Sequence, residues 1–244
     1  MTPLVVAHLS DLHLGAHEPA AVAGLPDAVA ACQPALTVVT GDSTMRARNR
    51  EFRQVRELLD ALPRPLLVVT GNHDLPLTHP DRLLRPYRRY RRWIDDELDP
   101  VCRIPGLTAR GLPSMPRWRG KNGRVTGRQV ALVGEVLGAA PPGDVRLLAL
   151  HHPAVVRGRL RRALRDCGAD LALAGHTHLP AVRPLAGGPL LVVAGTATST
   201  RVRRDVPRSW TQLRIDQEAV EVRELRPDGP GSWEVGRVVR HRRG

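Results

Sequence analysis

The segment Leu4-Val5-Val6-Ala7-His8-Leu9-Ser10-Asp11-Leu12-His13 joins a largely apolar run to two polar side chains that can bind a metal. An apolar run without strict alternation is typical of a β-strand that is covered on both faces. Asp11 and His13 are two residues apart, and in an extended backbone such residues point to the same side. The segment therefore predicts a buried strand that ends in a carboxylate and an imidazole able to share one metal.

Four further motifs repeat this pattern of an apolar run followed by Asp, Asn or His side chains. They are Gly41-Asp42, Gly71-Asn72-His73-Asp74, His151-His152-Pro153 and Gly175-His176-Thr177-His178. The runs before them cover residues 35–40, 65–70, 145–150 and 171–174. In an open α/β sheet the carboxyl ends of the strands form the edge where ligands bind, so we expect all of these motifs to lie together there.

The side chains in these motifs favour a particular kind of metal chemistry. Carboxylate, amide and imidazole groups without thiolate suit Mn, Fe or Zn. Asp42 can bridge two cations, and Asn72 offers an amide oxygen. His73 is a candidate for contacting the substrate, with Asp74 accepting its other ring proton. Two divalent metals roughly 3.5–4 Å apart can clamp and attack a phosphate ester.

Strands and helices are expected to alternate along the chain. Further apolar runs predict strands over 130–137 and 190–194, a hairpin of 210–215 with 219–225, and a weak edge strand with a frayed tail over 234–244. Apolar spacing and the position of Pro86 predict helices over 20–32, 46–62, 157–167 and about 86–97. This alternation predicts an α/β layered fold.

The length of 244 residues fits a single domain over residues 1–244. Residues 75–128, rich in Pro, Gly and Arg, interrupt the pattern. They could form a solvated basic helix that caps the sheet, or a variable, lid-like insertion over the metal site. No apolar run approaches the length of a membrane span, and the N-terminus lacks a signal-peptide pattern, so a cytoplasmic location is expected.

The net charge and the aromatic content limit the classes of partner, and the cysteines limit the kinds of cross-link and metal site. The net charge of +13 gives a positive field that attracts polyanions, although a basic surface without a function explains it equally well. Aromatic residues make up only 3% of the chain, which disfavours a platform for stacking bases. The three cysteines are far apart, which argues against a disulfide framework and a structural zinc site.

The motifs occur in the order DxH, GD, GNH(D/E), H and GHxH, and this order resembles the calcineurin-like metallophosphoesterase superfamily. Residues 195–201, Gly-Thr-Ala-Thr-Ser-Thr-Arg, also resemble its small bacterial phosphodiesterase-like branch. The resemblance implies a four-layer αββα sandwich of two mixed β-sheets, with a dinuclear metal site at the carboxyl ends of strands. It also implies two divalent metal ions, Mn, Fe or Zn, as cofactors.

The resemblance further implies a role for each motif residue. The first metal would be held by Asp11, His13, Asp42 and His178. The second would be held by Asp42, Asn72, His151 and His176. His73 would be the catalytic residue that faces the substrate, with Asp74 as its partner, and His152 would lie outside the ligand set.

The expected function is hydrolysis of phosphodiesters of the cyclic nucleotide or glycerophosphodiester type, by a hydroxide that bridges the two metals. One alternative is a DNA or RNA nuclease, because residues 8–15 also resemble the double-strand-break repair exonucleases of this superfamily. Another is a non-catalytic protein that binds phosphate or nucleic acid. The expected partners are a phosphoester substrate and, weakly, nucleic acid at the basic surface, with no membrane. The oligomeric state stays open, with a homodimer as one option.

Overall fold

Residues 3–77, 80–118 and 121–243, which the computed structural model describes, contain two six-stranded mixed β-sheets. In the first sheet the strand order is β12-β11-β10-β1-β2-β3. Strands β1, β2 and β3 are parallel, and β10, β11 and β12 form an antiparallel extension. Their bounds are β1 Leu4–Leu9, β2 Leu36–Thr40, β3 Leu66–Val69, β10 Trp210–Ile215, β11 Ala219–Pro227 and β12 Trp233–Arg242.

The second sheet has the order β4-β5-β6-β7-β9-β8. Strands β5, β6, β7 and β9 are parallel, and the edge strands β4 and β8 are antiparallel to their neighbours. The bounds are β4 Val101–Ile104, β5 Leu107–Leu112, β6 Val145–Leu150, β7 Leu171–Ala174, β8 Ala181–Pro184 and β9 Leu190–Val193.

The strands are apolar on both faces because each sheet is covered on both sides. Val38 of β2 belongs to an apolar cluster shared with β6 of the other sheet, whereas the next residue, Val39, packs toward a helix on the outer face. In β6, Leu147 likewise belongs to the shared cluster, and Leu148 packs toward the helices on the outer face of the second sheet. The four-layer αββα sandwich of two mixed sheets is therefore confirmed.

Helices form the two outer layers. Those on the first sheet include α1 and α2, and those on the second are α5 and α6. The helices are α1 Pro19–Ala31, α2 Asn49–Ala61, α3 Asp81–Leu84, α4 Arg88–Trp93, α5 Gly127–Gly138 and α6 Gly158–Asp166, with a short 3-10 turn at Pro153–Val155. Among the described residues, no helix is long and apolar enough to cross a membrane.

The prediction of a strand over residues 130–137 is wrong, because these residues lie in α5. The Thr126 hydroxyl accepts the backbone N–H of Gln129, and the Gln129 side chain accepts the backbone N–H of Thr126 at 2.8 Å. This capping box starts a helix. Val133 and Leu137, one turn apart, are its buried residues. A short apolar run alone does not distinguish a strand from a buried helix face.

Residues 75–128 contain strands and helices of the sandwich in addition to irregular segments. They include β4 and the fully buried strand β5, which the sequence pattern missed. The expected helix over 86–97 is shorter and spans only α4, where the buried Tyr90 donates a hydrogen bond to Val68 O at 3.0 Å. The C-terminal strand is longer than expected, since β12 continues to Arg242. The lid interpretation of residues 75–128 stays a prediction.

Candidate metal centre

The motif residues adopt a backbone conformation that the sequence did not predict. Asp11, His13 and Asp42 have φ angles of 51°, 49° and 52°, and His176 and His178 have 70° and 58°. These values lie in the left-handed region, which costs a residue with a side chain roughly 1–2 kcal/mol. The prediction that Asp11 and His13 are in extended structure is therefore wrong. Left-handed residues that cluster at one sheet edge are typical of a functional site.

One group of side chains comes from the loops after β1 and β7. His178 Nε2 lies 3.2 Å from Asp11 Oδ1 and 3.1 Å from His13 Nε2. His13 Nε2 lies 3.8 Å from Asp11 Oδ1 and 3.9 Å from Asp42 Oδ2. All four residues are buried. Their nitrogen and oxygen atoms therefore converge on one small volume.

A second group lies on the other side of Asp42. His151 Nε2 lies 3.2 Å from Asp42 Oδ2 and 3.3 Å from Asn72 Oδ1. His176 Nδ1 lies 3.1 Å from the same Asn72 oxygen. Asp42 Oδ2 is thus the atom that the two groups share. The structure brings together all seven residues that the sequence proposed as ligands, and their division between two metals stays a prediction.

Hydrogen bonds leave one oxygen of each carboxylate directed at these groups. Asp11 Oδ2 accepts the Ser10 hydroxyl at 2.7 Å and the His176 N–H at 2.9 Å, whereas the buried Asp11 Oδ1 has no hydrogen-bond donor among the described residues. Asp42 Oδ1 accepts the His73 N–H at 2.8 Å, and Asp42 Oδ2 faces the imidazoles. The unused oxygens are therefore available to a cation.

The imidazoles are oriented by backbone carbonyls. His151 Nδ1 lies 2.7 Å from Thr40 O, and His178 Nδ1 lies 2.7 Å from Arg201 O. Each Nδ1 therefore donates its proton, which leaves the Nε2 lone pair for a metal. Ligands held about 2.0–2.2 Å from one metal must lie roughly 3–3.5 Å from each other, which matches most of these separations. The residues present fit two divalent metals.

Burial and neighbouring charged groups shift the pKa values of these side chains. Burial lowers the pKa of His13 and His176 to about 4, so both imidazoles are neutral near pH 7, as metal ligands must be. Burial opposes ionisation of Asp11, but the neighbouring imidazoles of His178 and His151 lower its pKa to about 2. Burial also opposes a charge on His151, yet the neighbouring Asp42 raises its pKa to about 9. Without a metal, a proton on His151 thus compensates the Asp42 carboxylate.

His73 lies beside the first group. Its ring packs edge-on against that of His13, with centroids 4.8 Å apart, and its Nδ1 lies 2.7 Å from Met45 O. The predicted contact between Asp74 and the His73 ring is wrong. The Asp74 carboxylate instead accepts the backbone N–H groups of Gly71 at 2.9 Å and Thr44 at 2.8 Å. Asp74 thus fixes the loop that carries His73, because a buried carboxylate needs such donors.

Sequence reasoning missed several groups that complete the site. The hydroxyl of Ser10 and the backbone carbonyls of Thr40, Met45 and Arg201 orient the motif side chains. The Ser10 hydroxyl could have been suspected from its place next to Asp11, but a carbonyl contact leaves no signal in the residue types. His152 adjoins the second group, since one of its ring nitrogens lies within 4.8 Å of ring nitrogens of His151 and His176, and its Nδ1 lies 2.8 Å from the Ser114 hydroxyl. Its place outside the ligand set stays a prediction.

Two layers of β-sheet with a buried edge of Asp, Asn and His side chains define a class of protein with a candidate two-metal site. The family model for calcineurin-like phosphoesterases matches residues 4–180, and the chain belongs to this family. The family uses a dinuclear centre of divalent metals, consistent with the two groups. The predicted superfamily is therefore confirmed.

Relatives with named activities are bacterial. A cAMP/cGMP dual specificity phosphodiesterase of Mycobacterium tuberculosis is 30% identical over 188 residues, which cover 67% of this chain and 55% of that protein. The chain thus spans little more than half the length of this relative. A protein of Synechococcus sp. named "Probable cyclic nucleotide phosphodiesterase" is 28% identical over 94% of this chain and 90% of its own length.

A solved structure shows the same fold. The crystal structure of a dimetal phosphatase from Danio rerio matches with a TM-score of 0.70 and 13% identity. The match covers 98% of this chain and 99% of that protein. At this identity the likeness concerns the fold alone.

Proposed function

We propose that the chain is a dinuclear metal-dependent phosphodiesterase that acts on small phosphodiesters, with cyclic nucleotides as the first substrate class and glycerophosphodiesters as the second. The observation that carries this proposal is the position of Asp42 Oδ2, which faces His13 on one side and His151 on the other. A carboxylate oxygen shared by two buried ligand groups is what a two-metal site requires.

In this proposal Asp11, His13, Asp42 and His178 hold one metal, and Asp42, Asn72, His151 and His176 hold the other. When bound, the two ions supply charge that polarises the phosphoryl oxygens and lowers the pKa of water. The protein contributes imidazoles and two ionised carboxylates, held by hydrogen bonds that do not depend on the metals, and His151 would release its proton when a metal binds. The site is therefore preorganised for metals and an anionic substrate.

His73 is the proposed catalytic residue. Its Nδ1 faces the Met45 carbonyl and so acts as a donor, which leaves Nε2 as the nitrogen that can carry a proton to the leaving oxygen. Asp74 is a positioning residue, because its carboxylate fixes the backbone of the Gly71–Asp74 loop and of Thr44. The deep burial of Asp74 raises its pKa, so its hydrogen bonds help to retain its charge.

The choice of a small diester rests on the relatives and on the basic surface. The M. tuberculosis protein is named for cAMP and cGMP, and this supports cyclic nucleotides as the first class to test. Some of the arginines nearest in sequence to the His73 loop form hydrogen bonds within the protein, although most of them are exposed. Arg82 donates to Arg117 O at 2.8 Å, and Arg88 donates to Asp81 at 2.8 Å. They give the nuclease alternative no specific support.

The test compares substrate classes on one metal-loaded preparation. The protein is loaded with Mn and assayed with cAMP, a glycerophosphodiester, a chromogenic diester and the matching chromogenic monoester. The proposal expects metal-dependent hydrolysis of diesters, with cAMP the best, and slower hydrolysis of the monoester. Faster turnover of the monoester, or activity that survives removal of metal by a chelator, would contradict it.

A further inference from the structure

The Arg201 side chain lies at the rim of the metal centre next to His73. Its Nη1 is 3.4 Å from His73 Nε2 and 3.7 Å from Met45 Sδ. The side chain is exposed, and within the described part of the chain no carboxylate lies at ion-pair distance from it. The guanidinium N–H donates a long hydrogen bond to His73 Nε2, but a neutral imidazole does not compensate its charge, so the arrangement presents positive charge that an anion can neutralise.

The backbone of the same residue is firmly attached to the centre. Arg201 O accepts the His178 Nδ1 proton at 2.7 Å, and the Arg201 N–H donates to the Ser199 hydroxyl at 3.0 Å. The preceding segment is tied to the first motif, because the hydroxyls of Thr196 and Thr198 donate to Asp11 O and Leu12 O at 2.6 Å. The backbone position from which the Arg201 side chain extends is thus fixed relative to His178 and Asp11.

Arginine is the side chain best suited to a phosphoryl group, because its planar fork matches two phosphate oxygens at once. Building on the proposed function, we propose that the Arg201 guanidinium binds a non-bridging oxygen of the scissile phosphate, beside His73. His73 Nε2 then faces the leaving oxygen while Arg201 holds the phosphoryl group in place. The Gly195–Arg201 segment thus supplies a substrate-binding residue in addition to the carbonyl that orients His178.

The two roles of Arg201 can be separated experimentally, because substitution removes the guanidinium but keeps the carbonyl. Arg201→Ala should keep both metals, since His178 retains its backbone partner. It should weaken binding of inorganic phosphate to the Mn-loaded protein roughly ten- to hundredfold, as expected for loss of a charged hydrogen bond. Calorimetric titration with phosphate and metal analysis by mass spectrometry measure these two quantities independently of activity.

Arg204→Ala is the matched control, because Arg204 is exposed in the same loop. It should bind phosphate and metals like the wild type. Arg201→Lys should restore part of the phosphate affinity, since it keeps the charge without the fork. With cAMP, Arg201→Ala should lower kcat/KM by a similar factor, and Arg204→Ala should not.

Unchanged phosphate affinity in Arg201→Ala, or an equal loss in Arg204→Ala, would overturn the inference, as would loss of metal from Arg201→Ala. These results are distinct from a failure of the proposed function. If the wild type binds two metals and phosphate but hydrolyses no diester, the proposed function fails while the phosphate titrations still decide the role of Arg201.

Discussion

At the residue scale, each of the two carboxylates can direct one oxygen at the metal site because hydrogen bonds hold its other oxygen. Asp42 uses Oδ1 to accept the His73 N–H and turns Oδ2 toward the imidazoles. Asp11 uses Oδ2 for Ser10 and His176 and leaves Oδ1 toward His178. Protein hydrogen bonds therefore direct each carboxylate before any metal binds, which reduces the cost of organising the site.

The first prediction concerns Asp42. Asp42→Ala removes the oxygen that both ligand groups share, so the protein should lose metal and hydrolytic activity. The change deletes side-chain atoms without adding any, so the fold should persist. Metal analysis and circular dichroism test the two halves of this prediction. A variant that still held two metals per chain and turned over at a near-normal rate would show that Asp42 is not a bridging ligand.

The second prediction separates His73 from the ligands. His73→Ala should keep both metals and lose roughly 10²–10⁴-fold in turnover, the usual range for a general acid or base. His151→Ala should instead lose the second metal, because His151 Nε2 lies between Asp42 and Asn72. Both variants are compared by metal content and kcat. Equal metal loss in the two variants would identify His73 as a ligand.

At the element scale, glycines let the strand ends approach each other. A Cβ at Gly175 would collide with the Ser10 hydroxyl and lie 2.5 Å from Asp11 Oδ2. A Cβ at Gly71 would collide with Asp42 in the same way. The glycines of the GNH and GHxH motifs thus make room for the carboxylates of the DxH and GD motifs.

The third prediction follows from this contact. Gly175→Ala should push Ser10 and Asp11 out of place, lower the free energy of unfolding by roughly 1–3 kcal/mol and weaken metal binding. Gly134→Ala is the control, because nothing lies within 4 Å of its added Cβ in α5. It should stabilise the protein by up to about 1 kcal/mol. Denaturant unfolding and metal analysis measure both effects, and a harmless Gly175→Ala would refute the steric argument.

The fourth prediction concerns His8, in β1. Burial lowers the pKa of this imidazole from 6.5 to about 3. As the pH falls below 6.5, the unfolded chain takes up a proton that the folded protein refuses, so stability is lost through this window. At about pH 4.5 the loss from His8 should be about 3 kcal/mol.

Denaturant unfolding of the metal-free wild type and His8→Gln, each at about pH 7 and about pH 4.5, isolates this contribution. The variant should lose less stability on acidification than the wild type, whatever its stability at neutral pH. If both proteins lose the same amount, His8 is not the group that resists protonation.

Particular elements show which features a sequence reveals. Most strands of the sheet interiors were predicted because burial on both faces makes their sequences continuously apolar. The interior strand β5 was missed because Thr108 and Arg110 interrupt its apolar run. The run 130–137 failed because α5 is also apolar and its start depends on the Thr126–Gln129 capping box. The left-handed backbone of Asp11 and His13, and the carbonyls that orient the imidazoles, could not be predicted. They depend on how separate loops meet and not on residue type.

At the scale of the whole molecule, the two sheets bring distant parts of the chain to one edge. Strands β1, β2 and β3 supply Asp11, Asp42 and Asn72, and the second sheet supplies His151, His176 and His178. The net charge of +13 gives the protein as a whole a positive field. Small anionic diesters and nucleic acids are both attracted by such a field, so charge alone does not choose between them.

The fifth prediction separates these classes of partner. Arg82 and Arg89 are largely buried and donate to backbone carbonyls, whereas Arg85, Arg88 and Arg91 are exposed, and Arg88 also pairs with Asp81. Nucleic-acid binding should therefore be weak and salt-sensitive, with the slope of log K against log salt changing by roughly 0.7–0.9 per phosphate contact. Fluorescence anisotropy with single-stranded and duplex DNA measures it.

Efficient cleavage of the same DNA should not accompany this binding. Arg85→Gln combined with Arg91→Gln should weaken binding and leave cAMP hydrolysis unchanged. Rapid Mn-dependent degradation of DNA that disappears in this double variant would promote the nuclease alternative over the small-diester proposal.

The most direct test of the central claim is anomalous diffraction from crystals of the Mn-loaded protein. The proposed dinuclear centre should give two peaks roughly 3.5–4 Å apart on either side of Asp42. One peak should contact Asp11, His13 and His178, and the other should contact Asn72, His151 and His176. A single peak, or two peaks that do not share Asp42, would contradict the dinuclear centre on which the proposed function depends.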